Sequence, residues 1–174
     1  MSVDVPANSA LTVRSTSVSG WTEALAEAAP NPGGGSAGAV VLGFAAALIE
    51  MVCGYSVGRG SDEEVAALAQ DAAALRRTAL RLVDEDGEAS ARLAAAYRSE
   101  PGPDRDRRIR EESVRAAETC AEMASGAIAV LPGLARLADL ANPALIADVV
   151  VAGDMLRTAL ATSRTNIGVD LGGL

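Results

Sequence analysis

The feature that most constrains the fold is a run of small apolar residues fenced by two breaks. Pro30-Asn31-Pro32-Gly33-Gly34-Gly35 forbids regular structure before it, and Gly58-Arg59-Gly60-Ser61 breaks the chain after it. Between them Ser36 to Val57 is nearly all apolar and rich in Ala and Gly, with Glu50 inside it. Such a run can pack on several sides at once. It reads as a buried central helix and not a membrane span, because it carries Glu50 and neither flank has a belt of positive charge.

The rest of the chain supports an all-α architecture. Ser19 to Ala29 is a short helix candidate, with Ser19 as its cap. Ser61 and Glu64 form a capping box for a long amphipathic helix from Asp62 to Arg98, which Gly87 is expected to loosen near its middle. Glu100-Pro101-Gly102-Pro103 is a turn, so the following helix forms an α-hairpin with the first. It should reach Val130 and be interrupted at Pro132-Gly133. Asn142-Pro143 opens a last helix expected to run to about Ile167. No strand-length alternation of Val, Ile and Thr appears. The expectation is one multihelical domain over residues 19–174, preceded by a flexible tail over 1–18.

Composition narrows the chemistry. All 15 basic residues are arginine and there is no histidine. This leaves no His-built metal site, no Ser-His or Cys-His nucleophile and no lysine Schiff base. Acid–base work must fall to 23 carboxylates, two tyrosines, two cysteines or water. A net charge of −8 argues against a nucleic-acid partner. Cys53 and Cys120 lack a secreted-protein pattern and read as free thiols of a cytoplasmic protein.

Four groups of residues are candidates for a site. Gly33, Gly35 and Gly38 satisfy G-x-G-x-x-G, but no strand precedes them, so a dinucleotide site is excluded. The loop allows close backbone approach to a helix N-terminus, which suits an anion, a carbonyl or an aromatic heterocycle. Equally, it suits tight helix packing. Asp84 and Asp86 lie in Leu82-Val83-Asp84-Glu85-Asp86-Gly87, with Asp84 beside the apolar stripe. Asp148 sits among apolar neighbours that would bury it. Asn166 reads as a C-terminal cap, and Arg105 to Glu112 as a solvated face or a patch for an anionic substrate tail.

Taken together, Trp21 to Ala29, Pro30-Asn31-Pro32-Gly33-Gly34-Gly35-Ser36, and the apolar helix closing in Met51-Val52-Cys53-Gly54-Tyr55-Ser56-Val57-Gly58 resemble the formimidoyltetrahydrofolate cyclodeaminase and methenyltetrahydrofolate cyclohydrolase family. Leu82 to Asp86, and Asn142-Pro143 followed by Asp148 and Asn166, are also similar to it. The resemblance implies a helical homodimer acting on a tetrahydrofolate one-carbon adduct, with no cofactor beyond that substrate and no metal. It implies Gly33, Gly34, Gly35, Ser36 and Asn166 as substrate-binding residues, and Asp84 and Asp148 as catalytic carboxylates. Arg59 would hold the glutamate tail. The chain departs from the family pattern in having Gly58-Arg59-Gly60-Ser61-Asp62 in place of a lysine-rich segment. It also has Ala147 for a serine and Asp170 for a late asparagine. The alternative implied by those departures is a catalytically weakened ligand-binding or dimerisation relative.

Overall fold

A computed structural model describes residues 12–59 and 61–172. Among them are five α-helices and one 3-10 turn. Helix α1 spans Val18–Ala26, α2 Gly34–Gly54, α3 Asp62–Arg98, α4 Pro103–Leu140 and α5 Ile146–Gly172. Short connections force consecutive helices to run antiparallel. The second to fifth helices form an up-down-up-down bundle in which α2 and α4 each pack against both α3 and α5. The expected all-α fold with a long α3–α4 hairpin is what the chain adopts.

The alanine content explains how closely the bundle packs. Ala45, Ala46, Ala79, Ala127, Ala152 and Ala159 are fully buried between helices, and Leu42, Leu82, Leu137 and Leu156 fill the remaining space. Truncating one of these leucines to alanine would cost roughly 2–5 kcal/mol. On α2, only the inward side is covered; Phe44, Met51 and Tyr55 line its outer face and stay exposed.

Several boundaries differ from expectation for local reasons. The expected flexible tail over 1–18 is docked from Thr12 onward: Val13 packs against the core and Ser17, not Ser19, caps α1 by accepting from the Gly20 N–H. Residues 1–11 lie outside the described residues. Helix α2 begins two residues early because Gly33 is extended and serves as its cap. Gly87 does not loosen α3. It is buried, and a Cβ there would stand 2.2 Å from Asn31 Oδ1, so it admits the Asn31 side chain. Pro132 does not interrupt α4. It sits on the exposed side, beside Ile128 and Leu131, where water can reach the carbonyl that loses its donor.

Asn142 opens the 3-10 turn Pro143–Leu145 by accepting from the Ala144 N–H at 3.1 Å, and α5 follows directly. Helix α5 continues past Ile167 to Gly172, so Asn166 is not a terminal cap. Its Nδ2 donates to the Thr162 carbonyl at 2.9 Å.

Candidate active site

Each bundle helix presents an inward stripe at alternating three- and four-residue spacing. On α3 it runs Leu75, Ala79, Leu82, Asp86, Ala89; on α5 it runs Val149, Ala152, Leu156, Ala159, Ser163, then Asn166 and Asp170. On α4 it includes Cys120, and on α2 it starts with Gly35 and Ser36. Near the N-terminus of α2 these stripes stop being apolar. There the bundle contains a polar layer of Ser36, Asp86, Cys120, Asn166 and Asp170.

Asp86 is the centre of this layer and is only 6% exposed. Ser36 Oγ, fully buried, donates to its Oδ2 at 2.8 Å. Cys120 Sγ lies 3.9 Å from its Oδ1. The first helical bond of α2 runs from the Ala37 N–H to the Gly33 carbonyl. The amides of Gly34, Gly35 and Ser36 therefore have no partner within the helix, and their positive end faces the carboxylate. Gly35 makes this approach possible, since a Cβ there would stand 2.1 Å from Asp86 Oδ1. One residue earlier, Gly34 borders Asn166: its Cβ would be 3.7 Å from Asn166 Oδ1.

Electrostatically the layer is acidic. Burial pushes the Asp86 carboxyl above its usual range, against hydrogen bonding from Ser36, Thr119 and Cys120. Burial, and then the charge of Asp86, pushes Asp170 up as well. Cys120 is pushed up to about 12 by burial and by both carboxylates, so it stays a thiol. Among the described residues neither Asp86 nor Asp170 forms an ion pair with an arginine.

Open space adjoins the layer. A groove of about 680 Å³ starts at Gly34 and Asn166 and follows α5 past Thr165, Thr162 and Thr158 to Arg157. Beyond Asp86, α3 continues for twelve residues to Arg98, so the α3–α4 hairpin overhangs this end of the bundle.

The structure thus brings together Gly33, Gly34, Gly35, Ser36 and Asn166, and separates the other three candidates. Asp84 lies on the opposite side of α3 from Asp86, where its Oδ1 accepts from the Val13 N–H at 2.9 Å. It fastens the N-terminal segment. Asp148 precedes Asn166 by eighteen residues of helix, about 27 Å at ~1.5 Å per residue. Arg59 is exposed beyond the C-terminus of α2, at that same far end, where Ser56 Oγ accepts from the Asn142 N–H. A site that used Asp84, Asp148 and Arg59 together would have to be shared between two chains, since within one chain they do not converge on the glycine loop. Asp86, Asp170, Thr119 and Cys120 surround it instead. The stripe spacing of α3 is the signal for Asp86, which is four residues from Leu82 and three from Ala89.

A four-helix bundle with a buried carboxylate under a glycine-built helix N-terminus, and an open groove beside it, defines an all-α class with a candidate small-molecule site at one end of the bundle. Residues 17–174 match the formiminotransferase-cyclodeaminase family, and the chain belongs to it. Among its relatives is the methenyltetrahydrofolate cyclohydrolase of Methylorubrum extorquens, 28% identical over 163 residues, covering 88% of this chain and 78% of that protein. Among solved structures, formiminotetrahydrofolate cyclodeaminase of Thermotoga maritima shares the fold. Its TM-score is 0.84 at 24% identity, with 93% of this chain and 81% of that one covered.

Proposed function

We propose that this protein is an enzyme of folate one-carbon metabolism that hydrolyses 5,10-methenyltetrahydrofolate to 10-formyltetrahydrofolate. The observation that carries the reading is the Asp86–Asp170 layer, in which no arginine among the described residues pairs with either carboxylate. The methenyl bridge is a delocalised amidinium cation, and carboxylates placed beside it lower the energy of the bound cation. The name of the Methylorubrum relative supports the same substrate.

In this reading water adds to the bridging carbon, and its proton passes to a carboxylate of the layer. The C–O bond forms as the amidinium collapses to a neutral carbinolamine. The bond from the bridging carbon to N5 then breaks as the carbinolamine hydroxyl loses its proton to solvent, N5 takes up the proton held by the carboxylate, and the formyl group stays on N10. Ser36 orients Asp86, and the Gly34 and Asn166 edge accepts the polar rim of the pterin. A second reading is favoured by the raised Asp86 carboxyl. Burial favours the protonated form of Asp86, and in that form it can hand a proton to ammonia leaving 5-formimidoyltetrahydrofolate as the ring closes. The apolar outer face of α2, with Phe44, Met51 and Tyr55, is the surface on which a homodimer would form.

The test is methenyltetrahydrofolate decay followed by absorbance. Wild-type protein should accelerate decay above the spontaneous rate, and Asp86→Asn should remove the acceleration. Decay at the spontaneous rate with folate still bound would replace this reading with that of a ligand-binding relative.

A further inference from the structure

The groove leaving the polar layer has a composition and length that the reaction at Asp86 does not require. It begins at Gly34 and Asn166, carries three threonines on successive turns of α5, and ends at Arg157, the one cation among its described lining residues. Nine residues of helix separate Asn166 from Arg157, about 13 Å at ~1.5 Å per residue. Resting on the folate reading, we propose that this groove is the subsite for the aminobenzoyl-glutamate half of the substrate, and that Arg157 is its specificity-determining residue by pairing with a glutamate carboxylate.

The dimensions agree. A benzoyl ring, one amide and one residue place a carboxylate about 10 Å from the one-carbon bridge, at ~1.3–1.5 Å per bond. Arg157 reaches the remainder with its own side chain. The walls suit a flat ring: the groove face is shallow, with Ala161 and no bulky side chain between Asn166 and Arg157. The threonine hydroxyls are occupied on their donor side, Thr158 with the Asp154 carbonyl and Thr165 with the Ala161 carbonyl, so they remain as acceptors for an amide N–H.

Arg157 is free to take a new partner. Its guanidinium donates to Asp154 Oδ1 at 3.1 Å, but the two side chains are 81% and 62% exposed, and such pairs are weak. Exchanging Asp154 for a substrate carboxylate costs little and gains a second, planar two-point contact. Arg59, the cation expected from the sequence to fill this role, stands at the opposite end of the bundle.

The experiment compares 5,10-methenyltetrahydrofolate with its tetrahydropteroate counterpart, which lacks the glutamate. Wild type should prefer the folate through KM, with kcat similar for both. Arg157→Ala should raise KM for the folate about two- to fivefold, the size of one exposed ion pair, and so erase the preference. Arg157→Lys should restore part of it, and Arg59→Ala should keep it. Calorimetry with 5-formyltetrahydrofolate gives a second readout: Arg157→Ala should weaken its binding by the same factor. An active wild type whose preference survives in Arg157→Ala overturns the subsite while leaving the activity standing. Loss of the preference in Arg59→Ala overturns it too. A wild type that neither turns over nor binds any folate overturns the activity, and the subsite falls with it.

Discussion

The contact between Ser36 and Asp86 gives a direct measure of the polar layer. Ser36 Oγ has one proton and two acceptors in reach, Asp86 Oδ2 at 2.8 Å and the Val83 carbonyl at 3.2 Å. When Asp86 is ionised the proton belongs to the carboxylate. When Asp86 is protonated the hydroxyl can turn to Val83 and accept from the acid. Ser36→Ala at neutral pH therefore removes a hydrogen bond to a buried charge, worth about 1.5–3 kcal/mol, and no water replaces it at a fully buried position. For a domain of this size that lowers Tm by roughly 3–12 °C, at about 2–4 °C per kcal/mol. In an Asp86→Asn background the bond becomes a neutral one, so Ser36→Ala should cost only about 0.5–1.5 kcal/mol. Urea denaturation of the four proteins in a double-mutant cycle measures the difference. The cost should also shrink toward the neutral value as pH falls below the titration of Asp86. A loss under about 0.5 kcal/mol at pH 7, or equal losses in the two backgrounds, would refute the contact as described.

Gly35→Ala should cost about 1–3 kcal/mol by denaturation and abolish turnover, because its Cβ would meet Asp86 Oδ1 at 2.1 Å. Gly33→Ala, with nothing within 4 Å of its Cβ, should stay within about 0.5 kcal/mol of wild type. The raised Asp86 carboxyl means that the folded protein holds its proton more tightly than the unfolded chain. Its contribution to stability is then full below the ordinary carboxyl pKa of about 4 and lost as pH rises through the raised folded value. Stability curves against pH should show that fall in wild type and a smaller one in Asp86→Asn. Asp84→Ala should speed hydrogen exchange at the Val13 amide and cost about 1 kcal/mol, while turnover continues. Turnover lost with Asp84→Ala at intact stability would return Asp84 to the catalytic role.

How much of the fold and site is legible in the sequence depends on whether a property belongs to one helix or to the way two helices meet. The span of α3 follows from Ser61, Glu64 and the Pro101–Pro103 turn, all local, and the structure agrees to the residue. The glycine loop and Ser36 are local too, and they do form the start of α2 beside Asn166. Asp84 is half-buried beside the apolar stripe, as expected, but it points away from Asp86. Two residues advance the helix by about 200°, so Asp84 faces the N-terminal segment, while Asp86, one turn beyond Leu82, faces inward. Pro132 departs from expectation for a related reason: a proline on the wet side of a long, packed helix can be tolerated, and only the bundle decides which side is wet.

The separation of Asp148 from Asn166 follows from topology alone. In an up-down-up-down bundle with short connections, the start of the first helix must lie beside the end of the fourth. The glycine loop opens α2, so its partners on α5 have to come from the last turns, Asn166 and Asp170, and Asp148 from the first turn has to lie at the far end. By the same rule Arg59, at the exit of α2, can share a site only with residues that open α5. What the rule does not supply is the depth at which Asp86 and Cys120 meet that layer. That depth depends on close-packed contacts, with Gly35 against the Asp86 side chain and Gly87 against the Asn31 side chain of the loop before α2, where one added methyl group would displace the side chain it meets.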